Sequence, residues 1–215
     1  MLKLGDVNTL RFVVLRGDAG VGKTAVLRVL QQRGCPVLDL EALAEHRGSA
    51  FGQVGLPPQP DAEAFSARLS ALLNVQSDSA IFAEIESVAL GSLAVPPGLT
   101  RQLTAADYIL LRDTFEHRVE RIAAAYRELP RAPLMEATAR LEGRIGSRRA
   151  DHAQSAWLRG DVAAAVAALL PYYDAAYAHQ LQASPGHALA TIDVGGRTPE
   201  QVADACLSTQ LSAPD

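Results

Sequence analysis

Cysteine and lysine are both nearly absent from this chain of 215 residues, which holds only Cys35 and Cys206, and Lys3 and Lys23. Two cysteines so far apart supply neither a disulfide framework nor a zinc site, and read as reduced structural thiols, which suits the cytoplasm. No apolar run approaches the roughly 20 residues that cross a bilayer. No basic stretch followed by an apolar segment opens the chain, so no secretion signal is expected and a soluble protein without a membrane partner is. Aromatic residues make up 5% of the chain, yet 48% of it is hydrophobic, enough to bury a core and to exclude a disordered tail.

A net charge of −4 argues against a general nucleic-acid binder. Positive charge is concentrated in one place. Residues 112–149 carry nine arginines against six acids, densest at Arg140, Arg144, Arg148 and Arg149. Such a cluster is either a solvated helix face or a track for a phosphate backbone, and charge alone leaves both open.

Hydrophobic patterning predicts alternating strands and helices. Strands are expected at 10–15, 36–40, 80–85, 108–111 and 188–193. Helices are expected at 23–32, ending near Gly34, and at 61–73, where Phe65, Leu69, Leu72 and Leu73 share a side. A loop is expected at Ala94–Gly98. From Thr114 to about Gln182 the pattern is helical, with breaks near Pro130, Pro133, Gly146, Gly160 and Pro171. Thr198, Pro199 and Glu200 have the order of an N-cap and first turn for a final helix. Alternation of this kind predicts an α/β fold: an open, mainly parallel sheet flanked by helices, of P-loop NTPase type. The expectation is one domain over 1–215, with a helical subdomain at about 130–183 inserted before the last strand.

One of the two lysines sits in the strongest motif. Gly17-Asp18-Ala19-Gly20-Val21-Gly22-Lys23-Thr24 matches the Walker A pattern between a predicted strand and a predicted helix. Glycines let successive N–H groups turn toward an anion, and the helix N-terminus adds its own donors and dipole. Lys23 contributes a charge and Thr24 a hydroxyl for Mg²⁺. Gly17, Gly20, Gly22, Lys23 and Thr24 are therefore the expected phosphate-binding set. The partner acid is expected at the end of a buried strand. Glu84 fills that place for Mg²⁺ or for activating a nucleophile, and Glu86 follows it. Asp39 is another acid at a strand's C-terminal end, the edge where open α/β sheets bind ligands.

Asp39-Leu40-Glu41, His46-Arg47-Gly48-Ser49 and Phe51-Gly52 follow the second strand. With the Walker A motif ahead of them, they resemble the signature of the tRNA 2-selenouridine synthases. Glu84-Ile85-Glu86-Ser87, Gly91, Pro97, Glu116-His117-Arg118-Val119 and Leu170-Pro171-Tyr172-Tyr173-Asp174-Ala175-Ala176-Tyr177 resemble later parts of that family in the same order, although it usually has proline where Ala175 stands. The likeness runs from about 10 to 205. Members usually begin with a rhodanese-like domain whose cysteine handles selenium, so the resemblance implies the P-loop part alone, which either is completed by a separate rhodanese-like protein or performs only part of the family reaction.

The family replaces sulfur by selenium on wobble 2-thiouridine of tRNA, by way of an S-geranyl intermediate formed from geranyl diphosphate. The resemblance thus implies a transferase that binds tRNA and uses Mg²⁺, with geranyl diphosphate or an NTP as the phosphate ligand. Lys23 and Thr24 would hold the leaving diphosphate, and Arg47 would clamp it with two parallel hydrogen bonds. Asp39, His46 or Glu84 would give weak base help to a sulfur that is already a good nucleophile. Tyr173 and Tyr177 fall on one helix face and would stack on an unpaired base, line a prenyl groove or pack into the core. The arginines Arg140, Arg144, Arg148 and Arg149 would contact the tRNA backbone. Two other readings stay open: a P-loop small-molecule kinase, which leaves the His46 block unexplained, and a nucleotide- or tRNA-binding module without chemistry.

Overall fold

The computed structural model describes residues 10–74 and 79–211. Its centre is a five-stranded sheet of β1 (Phe12–Arg16), β2 (Val37–Asp39), β3 (Ile81–Glu84), β6 (Asp107–Arg112) and β7 (Ala188–Asp193), in the order β2-β3-β1-β6-β7. Every pairing is parallel. The strand at the middle shows why both faces must be covered. Val13 and Leu15 of β1 enter a cluster with α1 (Lys23–Gln32) and α9 (Pro199–Leu211), contributed by Val26, Leu27, Leu30, Val202 and Cys206. Phe12 and Val14 enter the opposite cluster with α3 (Ala62–Leu73) and α4 (Pro97–Ala105), contributed by Phe65, Leu69, Leu99 and Leu103. A strand apolar on both sides belongs inside a sheet sandwiched between helices.

Between β6 and β7 the chain runs through four helices: α5 (Phe115–Tyr126), α6 (Arg131–Ile145), α7 (Ser147–Arg159) and α8 (Val162–Gln182). They build a third cluster around Leu134, Leu141, Trp157, Val166 and Leu169, which also takes in Phe51 and Val54 from the loop after the short helix α2 (Leu40–Leu43). The expected helical insertion is present. Gly146 and Gly160, both at positive φ, separate its helices.

Proline accounts for three departures. The expected loop at Ala94–Gly98 is instead the end of a hairpin, β4 (Ala89–Leu90) with β5 (Leu93–Ala94), and the start of α4. Pro97 opens that helix, where the missing N–H is no loss. Pro133 lies in the first turn of α6 for the same reason, and breaks nothing. Pro171 sits inside α8, which continues through it to Gln182. Its missing N–H frees a backbone acceptor at Ala167, and both residues border an open surface groove.

Because all five strands run the same way, Arg16, Asp39, Glu84, Arg112 and Asp193 end along one edge, and that edge carries the site.

Candidate functional site at the carboxyl edge of the sheet

Gly17–Thr24 wraps from β1 into α1. Gly17, Gly20 and Gly22 all have positive φ, at 146°, 78° and 99°. A Cβ at Gly17 would run into the Leu111 carbonyl, and one at Gly20 would come within 2.6 Å of Ile122. Glycine is thus required here for conformation and for close packing against β6 and α5.

Lys23 is 4% exposed. Its Nζ donates to the Gly17 carbonyl at 2.7 Å, pairs with Glu86 at 2.6 Å and lies 5.2 Å from the centre of the Tyr177 ring. Burial alone would lower its pKa, but Glu86 and Glu84 outweigh it and the net shift is upward. The Thr24 hydroxyl donates to Glu84 Oε1 at 2.9 Å. Glu84 is also buried, and it faces Asp39 across the β2–β3 ladder. Burial first, then the neighbouring Glu86, pushes its carboxyl up to about 8. Glu41, in the first turn of α2, is pushed up to about 9 by burial and by Glu84 and Glu86.

Three carboxyls thus crowd one ammonium, and the donor set of hydroxyl and carboxylate oxygens suits a hard divalent cation. Among the described residues no cluster of three or more His, Cys, Asp or Glu is arranged to cage a metal unaided.

A cavity of about 330 Å³ opens from this cradle into the helical insertion. Gly20, Lys23, Thr24, Glu41, Arg47 and Glu86 line its polar end. Two helices give it direction. Along α5, Arg121 donates to the Gly20 carbonyl, and Ile122, Ala125 and Tyr126 follow at helical spacing. Along α8, Tyr177 donates to Glu86, and Tyr173, Leu170, Leu169 and Val166 recede from it on one face. Tyr126 packs on Phe51 with ring centroids 6.1 Å apart, and Phe51 on Trp157 at 6.5 Å. Trp157 is held by a 2.9 Å hydrogen bond from its indole to the buried Thr138 hydroxyl. At about 1.5 Å per residue, the stripe from Tyr177 to Val166 is about 16 Å long. The cavity is therefore charged at one end and apolar at the other.

The remaining expected site residues divide by position. Arg47 lines the cavity, steadied by a 2.8 Å bond to the Val54 carbonyl. Tyr173 and Tyr177 line it too, Tyr177 with its hydroxyl on Glu86, so these two side chains face the cavity. Asp39 and His46 lie behind it. The Asp39 carboxylate caps α2, accepting from Ala42 N at 2.8 Å. The His46 ring is buried against Gly52 and Gly91, and its Nδ1 accepts from Gly48 N at 3.1 Å. Burial and then Arg47 lower its pKa, keeping it a neutral acceptor that shapes the loop. Arg140, Arg144, Arg148 and Arg149 are exposed on α6 and α7 and do not line the cavity; Arg140 donates to the Ala50 carbonyl at 3.4 Å, and Arg148 and Arg149 lie beside a groove that α8 also lines.

Sequence reasoning passes over Tyr126 and Trp157, gives Glu41 no role of its own and ranks Glu86 second. Glu86 has a legible signal, being two residues beyond Glu84 and so on the same side of an extended chain. The others enter through the packing of α2, α5 and α7, which no local pattern foretells.

The tRNA 2-selenouridine synthase AAA domain model matches residues 10–145. A tRNA 2-selenouridine synthase of Verminephrobacter eiseniae is 35% identical over 207 residues, covering 81% of this chain and 55% of that protein. One from Pseudomonas syringae pv. tomato is 43% identical over 119 residues, covering 53% and 31%. The chain thus spans between about a third and half of the length of these relatives. Among solved structures, a shikimate kinase from Acinetobacter baumannii in complex with shikimate aligns over 97% of both chains at 17% identity, with a TM-score of 0.38. TT1252 from Thermus thermophilus gives 0.39 at 13% identity, over 95% of this chain and 99% of that one. Scores of that size carry no functional weight. The parallel sheet, the phosphate loop and the family match agree with one another, and the chain belongs to the tRNA 2-selenouridine synthase family, through its AAA domain.

Proposed function

We propose that this chain catalyses prenyl transfer from geranyl diphosphate to the sulfur of wobble 2-thiouridine in tRNA. The observation that carries the reading is the two-ended cavity: a phosphate cradle continuous with an apolar chamber, lined by an α8 stripe about 16 Å long, fits a diphosphate on a hydrocarbon tail. In this reading the N–H groups of Gly20 and Gly22, with Lys23, hold the diphosphate, and Arg47 adds donors from the facing wall. Mg²⁺, held by the Thr24 hydroxyl and through water by Glu84, would supply further charge where the leaving oxygen becomes anionic. The sulfur lone pair forms the S–C bond as the C–O bond to diphosphate breaks, and the N3 proton of the base then leaves to water. The chamber walls exclude water from the allylic carbon, which would otherwise be hydrolysed.

Replacement by selenium would need a nucleophile from elsewhere. Cys206 is buried under α9 with its thiol pushed up to about 12 by burial, Cys35 is half-buried, and neither lines the cavity. The selenium-handling cysteine is therefore assigned to a rhodanese-like domain or partner. The kinase reading accounts for Lys23, Thr24 and Arg121 but leaves the apolar chamber without an occupant.

The test is to incubate the protein with 2-thiouridine tRNA, geranyl diphosphate and Mg²⁺, and to examine the digested nucleosides by mass spectrometry. A geranylated nucleoside is expected, with Lys23→Ala reducing its formation by about 10²-fold or more while circular dichroism shows the fold retained. Transfer of phosphate from ATP to a small metabolite, with no geranylated product, would overturn the reading.

A further inference from the structure

A second chamber, also of about 330 Å³, lies on the other side of Lys23. Lys23, Glu86 and Tyr177 line both chambers and no other residue does, so the ion pair and the tyrosine form a shared wall. The second chamber sits where β1 and β6 end, bounded by Leu15, Arg16, Leu110 and Arg112, with Leu181 of α8 opposite.

Its chemistry differs from that of the first. Apolar surfaces from Ile85, Leu110 and Leu181 alternate with polar groups. Arg16 donates through Nη2 to the Thr104 carbonyl at 3.0 Å, while its Nε is buried without a partner. The carboxylates of Asp18, Glu86 and Asp174 balance the cations of Arg16, Lys23 and Arg112 in the lining, which leaves no net positive charge to draw a second phosphate. A flat uncharged heterocycle, apolar on its faces and presenting carbonyl acceptors at its edge, matches these walls.

The α8 helix links this chamber to the arginines. Ala164, Ala167, Ala168 and Pro171 border the groove that holds Arg148 and Arg149. Asp174, Ala178 and Leu181 border the chamber, and continue the same spacing of three and four residues. A single strand anchored on the arginines would therefore run along one edge of α8 and reach the chamber in about 15 Å, the rise of ten residues.

We propose that the second chamber receives the acceptor nucleobase, so that the two substrates meet at the Lys23–Glu86–Tyr177 wall. The assignment rests on the reading of tRNA as substrate, but its test does not require turnover. An anticodon stem-loop carrying 2-thiouridine is bound to the protein and irradiated in the near ultraviolet, and the crosslinked peptide is identified. The crosslink is expected within Ile85–Glu86 or Tyr177–Leu181. Leu181→Trp, which fills the chamber, should lower the crosslink yield and weaken stem-loop binding about tenfold while leaving geranyl diphosphate affinity unchanged. Leu181→Ala, which removes bulk, should keep the crosslink and control for folding. A crosslink on other peptides, no crosslink from the bound stem-loop, or a yield that Leu181→Trp does not alter would overturn the assignment. Absence of geranyl transfer by the wild-type protein would instead count against the proposed reaction, with the crosslink still locating the base.

Discussion

The carboxyls around Lys23 set the residue-scale behaviour of the site. Glu41 and Glu84 stay protonated to about pH 9 and 8 in the fold, because burial and mutual repulsion disfavour their anions. In the unfolded chain both ionise near the ordinary carboxylate value of about 4.5. Between those limits the native state holds more protons than the unfolded one, so stability falls as pH rises. The limiting slope is about 1.4 kcal/mol per pH unit for each retained proton, and it levels off above about pH 9. Denaturant unfolding between pH 5.5 and 9 in the presence of chelator should show this decline, and Glu84→Gln should flatten it. Mg²⁺ with inorganic diphosphate should oppose the decline by favouring the anions, with proton release measurable from the buffer dependence of the binding heat. A slope that Glu84→Gln leaves unaltered would mean that the fold tolerates ionised Glu84.

At the scale of elements, what is legible in the sequence follows from how local each signal is. The strand at 188–193 and the helix at 23–32 are legible to their ends, since apolar runs and a glycine stop mark them directly. The phosphate loop is legible because its conformation demands glycine at fixed positions. The chamber is not, because Ile122, Tyr126, Trp157 and Val166 read as ordinary core residues until α5, α7 and α8 assemble. Asp39 shows the converse: an acid at a strand end suggests chemistry, and its carboxylate is engaged as the cap of α2. That difference is measurable. Asp39→Asn keeps an acceptor for Ala42 N and should leave activity within a few-fold of wild type. Asp39→Ala should cost about 1 kcal/mol in unfolding free energy. Loss of activity in Asp39→Asn at unchanged stability would assign the carboxylate a direct role instead.

For the whole molecule, the placement of charge and cavity relative to each other decides how substrates approach. Under the proposed reaction, a chain of net charge −4 would bind tRNA through whatever positive surface it gathers in one place, and the exposed arginines of α6 and α7 are the candidate for it. Changing Arg140, Arg144, Arg148 and Arg149 to Gln should weaken tRNA binding and lower the slope of log K against log salt by about one for each phosphate no longer neutralised. An unchanged slope would return those side chains to ordinary solvation. The donor end is governed by length. Val166 lies farthest from Tyr177 along the α8 wall, and Trp157 of α7 shares the apolar lining, so under the proposed reaction these two side chains limit how long a prenyl tail fits. Trp157→Phe shortens the wall and should raise farnesyl over geranyl turnover about tenfold, the scale on which an apolar pocket discriminates added carbon. Val166→Phe fills the same end, so it should weaken geranyl diphosphate binding while inorganic diphosphate binds as before. Competition assays with the three ligands separate the outcomes, because a change in diphosphate affinity would move the effect to the cradle. If neither variant alters the ratio of the two prenyl donors, the tail does not occupy the space between α5 and α8.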